Sequence, residues 1–195
     1  MNNDLSNSRN SISSAQSQYP LKTLLLVGAL ALALAVSRWI PHPPNVTLLM
    51  AISLWSFRWI KDIKLAVLAP LLGLFIADLV LGFHSSMIFV YLATAGVALL
   101  GQNFSRPMSS KSSLVVRSLK FGTFTISASA LFFLVTNFGV WAFSGMYSLD
   151  LTGLIACFVL AVPFWTTQLV TDLILSGAAW GIDSLKTSES FAKAF

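Results

Sequence analysis

Six uninterrupted apolar runs, covering approximately residues 21–40, 46–60, 65–81, 87–101, 121–143 and 151–180, leave this chain of 195 residues few ways to fold. Pro, Gly or charged residues separate them. At about 1.5 Å of rise per residue, a helix of about twenty residues crosses a hydrocarbon core of about 30 Å. A membrane β-barrel would alternate polar and apolar side chains over segments of about ten residues, and these Leu-, Ala-, Val- and Phe-rich runs do not. Charged residues make up 10% of the chain, against roughly 25% in a soluble domain. The expected fold is therefore an all-α membrane protein, a bundle of six transmembrane helices.

Nearly the whole chain is consumed by those runs, so a second soluble domain has no room. The expected organisation is a disordered polar cytoplasmic tail over 1–20, rich in Ser, Asn and Gln, a transmembrane domain over 21–183 and a cytoplasmic tail over 184–195. Small residues at Ala33 to Ala35 resemble a signal-peptide cleavage site. A polar segment precedes that run and five further apolar runs follow it, which favours a retained span.

A net charge of +5 would suggest nucleic acid as the partner of a soluble protein. Here the twelve Lys and Arg fall between apolar runs, where they orient a membrane protein instead. Arg58, Lys61 and Lys64 follow the second run, and Arg106, Lys111, Arg117 and Lys120 follow the fourth. Residues 82–86 and 144–150 contain no Lys or Arg, and only Arg38 lies near the connection after the first run. The basic connections belong inside, so both tails, with Arg9, Lys22, Lys186 and Lys193, are expected in the cytoplasm.

Three segments that this topology places at the outer rim concentrate unusual residues: 38–45, 78–84 and 137–141. Pro41, Pro43 and Pro44 stiffen the first and leave carbonyls without neighbouring N–H groups. Asp78 lies about one turn from a helix end, where an ionised carboxylate facing lipid costs roughly 2.5–3.5 kcal/mol at mid-helix; it is expected to face the interior, with Arg38 as its partner. That pair serves either structure or ligand binding. Asn137 and Trp141, four apart, share one helix face with Phe133 and suit either a polar ring or an interhelical hydrogen bond. On the last run Trp165, Gln168 and Asp172 form a polar and aromatic stripe, expected to run from mid-membrane toward the cytoplasm. The candidate solute-binding residues are Arg38, His42, Asn45, Asp78, His84, Asn137 and Trp141.

Catalytic and metal chemistry have little support. The chain contains no Gly-x-Ser-x-Gly, no His-Glu-x-x-His and no phosphate-binding loop. Its lone Cys157 excludes an internal disulfide, its sole glutamate is Glu189, and His42 and His84 lack a third ligand of suitable type. No enzyme activity, cofactor or metal is expected.

The segments Arg38-Trp-Ile-Pro-His-Pro-Pro-Asn45, Ala77-Asp-Leu-Val-Leu-Gly-Phe-His-Ser85, Phe133-Leu-Val-Thr-Asn-Phe-Gly-Val-Trp141 and Gly153-Leu-Ile-Ala-Cys157 carry a resemblance to DUF6580, a family of small bacterial membrane proteins of unknown function. That family resembles in turn the substrate-binding S components of energy-coupling factor (ECF) vitamin transporters. The resemblance implies a solute-binding subunit for uptake in the bacterial inner membrane, with a pocket near the outer face. It also implies an energising transmembrane partner with ATPases, docked on small residues of the first helix such as Ala29, Ala33 and Ala35. Leu48 and Ser53-Leu-Trp-Ser56 depart from the Pro- and Gly-containing stretch of many relatives, so the solute is not transferable. A membrane scaffold or cell-envelope assembly protein without a small ligand is the alternative.

Overall fold

The computed structural model of the chain describes residues 19–104 and 113–192. Most of the tail expected over 1–20, together with Arg9, Arg106, Lys111 and Lys193, lies outside the described residues. Within them the chain forms six helices and no strand: α1 (Leu21–Trp39), α2 (Leu49–Trp59), α3 (Ile63–Leu81), α4 (Met87–Phe104), α5 (Leu114–Phe143) and α6 (Leu151–Ala192). Five of the six, all but α2, are long and apolar enough to cross a membrane.

The exception corrects the expectation of six equivalent spans. At about 1.5 Å per residue, the 11-residue α2 rises only about 16 Å, half of a hydrocarbon core of about 30 Å. Its position nevertheless obliges the chain to run the length of the bundle. Arg38 at the end of α1 touches Asp78 near the end of α3, at 3.1 Å, and the Trp39 indole donates to the Ala77 carbonyl at 3.5 Å. Helices α1 and α3 are therefore parallel, and residues 40–62 must return from the end of one to the start of the other. Helix α2 supplies about half of that return, and the non-helical residues on its two sides supply the rest.

Every residue of α2 from Leu49 to Phe57 is buried. A helix apolar all round belongs inside a protein, and here the other helices surround it. Trp55 anchors the packed centre, edge-on to Phe104 with ring centroids 4.9 Å apart and stacked on Trp59 at 6.1 Å. Gly101 of α4 lies directly against the Leu54 backbone, with no space for a Cβ. Gly73 of α3 does the same for α1, where an added Cβ would stand 2.8 Å from the Ala31 carbonyl.

This contact also revises the expected docking face. Ala31 and Ala35 are fully buried, and the close approach at Gly73 shows that this side of α1 faces α3. Ala35 thus cannot meet an outside partner, whereas Ala29 and Ala33 remain exposed. At the other end of the bundle, Arg58 clasps Asp183 of α6 through both Nε and Nη2, at 2.9 to 3.0 Å. Helix α6 continues without a break through residue 183 to Ala192, so the boundary expected there does not end the element.

Candidate functional site

Because residues 40–48 are not helical, the end of the bundle near Arg38 has a helix missing from one side. The backbone there is set by its composition. Pro41, Pro43 and Pro44 fix φ and deny the segment helical hydrogen bonds. Asn45 follows with φ of +65°, a left-handed conformation that Asn tolerates better than most side chains. Its amide reaches across to donate to the Phe164 carbonyl of α6 at 3.3 Å, one residue past Pro163, which sits inside that helix. Ser37 closes the near side: its hydroxyl donates to Leu34 O and accepts from the Leu48 amide.

Behind this segment lies a cavity of about 470 Å³, within the range of about 300–1,000 Å³ usual for small-molecule sites. Arg38, His42, Asn45 and Thr47 line one end; the starts of α2 and α4 contribute Leu49, Met50 and Val90. The far walls come from α5, with Phe132, Phe133, Thr136 and Asn137, and from α6, with Ala161, Phe164, Trp165, Gln168 and Asp172. From the level of Asn137 to that of Ser129, which faces Gln168, α5 advances eight residues, or about 12 Å. The cavity is deep as well as wide.

Its polar groups fall into two sets. Near the Pro-rich segment, Arg38 is held by Asp78, whose other oxygen accepts the Tyr91 hydroxyl at 3.0 Å. His42 Nδ1 lies 2.7 Å from the Pro43 carbonyl, and Asn137 donates one amide hydrogen to Phe133 O at 2.7 Å. Deeper, Gln168 Nε2 approaches Ser129 Oγ at 3.5 Å. Both side chains neighbour the Asp172 carboxyl group, yet Asp172 Oδ2 is buried without a hydrogen-bond partner, and so is Trp165 Nε1. Between the two sets the Trp165 indole stacks on Phe133, with centroids 4.9 Å apart and planes 24° from parallel.

Of the seven residues proposed from sequence, Arg38, His42, Asn45 and Asn137 line the cavity. Three do not. The Asp78 side chain is only 3% exposed and is engaged by Arg38 and Tyr91. His84 lies in the exposed turn between α3 and α4, with Nδ1 3.2 Å from Ser86 Oγ. Trp141 turns toward the next connection and donates to Ser148 O at 2.9 Å. Trp165, Gln168 and Asp172, expected as a polar and aromatic stripe running from mid-membrane toward the cytoplasm, line the same cavity as Arg38 and Asn137. Their spacing was the available signal, but the partner wall was not. Thr47 and Thr136 gave no comparable signal. Among the described residues no group of three or more His, Cys, Asp or Glu is arranged to hold a metal ion.

A family model described as "Family of unknown function (DUF6580)" matches residues 18–193. No curated protein and no solved structure matches the chain.

Proposed function

We propose that this chain, which belongs to the DUF6580 family of unknown function, is a solute-binding integral membrane subunit that takes up a small molecule, in the manner of an ECF S component. The cavity carries the reading. Non-helical backbone at membrane depth is tolerated where it lines a cavity or is buried in protein, and interrupted helices surround the substrate sites of many transporters. Here the second crossing is interrupted beside Arg38, His42, Asn45, Asn137, Trp165, Gln168 and Asp172. Rings, amides and three ionisable groups in one space suit an organic solute better than a lipid-facing scaffold. In this proposal the Arg38 end is the outer face, both termini are cytoplasmic, and the membrane is the bacterial inner membrane. Any ATP dependence comes from an energising partner, with exposed Ala29 and Ala33 as its docking face.

Native mass spectrometry of the full chain, extracted gently from its own host, tests this. The expected result is one stoichiometric molecule of a few hundred daltons on the wild type, lost in Ala161→Trp, which fills the cavity wall. Wild-type protein that carries no small molecule and co-purifies only with envelope-assembly proteins would overturn the reading in favour of the scaffold.

A further inference from the structure

We infer that the solute is an organic cation whose N–H-bearing nitrogen sits against Asp172 at the deep end of the cavity; this rests on the solute-binding reading above. Asp172 is 2% exposed, and an intramembrane ionisable side chain marks a functional position by default. Its neighbours do not complete it. Ser129 and Gln168 approach the carboxyl group, while Oδ2 remains without a donor. Arg38, the only Lys or Arg among the described residues that line the cavity, is already paired with Asp78 at 3.1 Å.

The charge pattern of the cavity is therefore uneven. At one end, guanidinium and carboxylate neutralise each other; at the other, a carboxyl oxygen has no hydrogen-bond partner and no cation beside it among the described lining residues. A bound cation supplies both. Apart from the His42 imidazole at the opposite end, an anion would meet no uncommitted positive group among the described lining residues. The wall on the same helix face fits the same ligand, because Trp165 lies about two turns away on α6 and stacks on Phe133, offering a flat aromatic surface to the rest of the solute. Indole and phenyl faces stack on a planar ring. The unpartnered Trp165 Nε1 adds a donor about two turns from Asp172, so the solute also carries an acceptor on the side away from its cationic nitrogen. A planar nitrogen base with an amidine-like or amino-heterocyclic edge meets all three demands.

Benzamidine, benzamide and benzoate have nearly the same shape and differ in charge, so they isolate this property. Binding of each to the full chain in lipid nanodiscs, freed of any co-purified molecule, is read by ligand-observed NMR. Benzamidine is expected to bind at least about tenfold more tightly than benzamide, a tenfold ratio corresponding to about 1.4 kcal/mol, with benzoate giving no saturable signal. Asp172→Asn should erase the benzamidine preference. Where Asp172→Asn does not fold, Asp172→Glu keeps the charge and should retain the order of the three probes. Equal or tighter binding of benzamide or benzoate, or an order unchanged in Asp172→Asn, would overturn the inference. If no probe binds while the native protein carries an anionic or neutral solute, the cation assignment fails and the solute-binding reading stands. If no probe and no native solute binds, both fail.

Discussion

Arg38 and Asp78, forty residues apart in the chain, meet at 3.1 Å with the carboxylate side chain 3% exposed and the guanidinium 21% exposed. Tyr91 donates to the second carboxylate oxygen at 3.0 Å, so one acidic group ties the end of α1, the end of α3 and the start of α4. The pair also holds the Arg38 side chain at the cavity wall. A carboxylate that organises three helices has a structural role whatever the cavity holds.

Asp78→Asn should therefore destabilise the bundle. Removing one partner of a buried pair costs about 3–5 kcal/mol, and partial exposure of Arg38 reduces that to about 2–3 kcal/mol. Tyr91→Phe removes one hydrogen bond to a charged group and should cost about 1–2 kcal/mol. Thermal unfolding of the singles, Arg38→Gln and the Arg38→Gln/Asp78→Asn double variant gives the coupling. Additive losses in that cycle would mean that the pair is not formed.

Two glycines on neighbouring helices separate packing from propensity. Gly73→Ala places a methyl group 2.8 Å from the Ala31 carbonyl and against Leu34, and should cost about 1–3 kcal/mol by overpacking. Gly28→Ala meets nothing within 4 Å and should be neutral, or stabilise by up to about 1 kcal/mol through helix propensity. Equal melting temperatures for the two variants would contradict the close contact of α1 with α3.

Asp150 makes the stability of α6 depend on pH. Its Oδ1 accepts the Gly153 amide at 2.7 Å and the Ser148 hydroxyl at 2.9 Å. These bonds, the backbone one first, hold the carboxyl below its ordinary value of 3.8. A depressed folded-state pKa adds stability that is complete above the unfolded value and is lost as pH falls through the folded one. The melting temperature should drop as pH falls below about 4, and Asp150→Asn should flatten that slope while leaving the fold at neutral pH. An unchanged slope would show that other carboxylates govern the acid limb.

Helix number and apolar character were legible in the chain because membrane burial leaves long runs of Leu, Val and Phe. The brevity of α2 was not. A helix covered by protein and one covered by lipid have the same composition, and Val46, Thr47 and Leu48 continue the run with no stop signal between them and Leu49. Prolines 41, 43 and 44 marked an irregular backbone correctly, but nothing local placed that backbone beside Phe164. For the site, Trp165, Gln168 and Asp172 were visible as one helical face, whereas their union with Arg38 and Asn137 depends on contacts between residues far apart in sequence. Shared membrane depth also misled: His84 and Trp141 were grouped with Arg38 by depth, but a turn and a connection draw their side chains elsewhere.

Asn45 links the irregular segment to the opposite wall, and its two roles can be separated. Left-handed backbone costs an ordinary L residue about 1–2 kcal/mol, a penalty that Gly escapes and Asn partly escapes. The side-chain bond to Phe164 O, at 3.3 Å and exposed, is worth at most about 1 kcal/mol. Asn45→Gly should therefore keep the backbone conformation and lose only the staple, while Asn45→Ala loses the staple and strains the turn. The expected order of melting temperature is wild type, then Asn45→Gly, then Asn45→Ala. If the segment also shapes the cavity, solute affinity should fall in the same order and by more than stability does, because the free segment must then be ordered on binding. Alanine as well tolerated as glycine would mean that the left-handed turn is not held in the membrane-embedded protein.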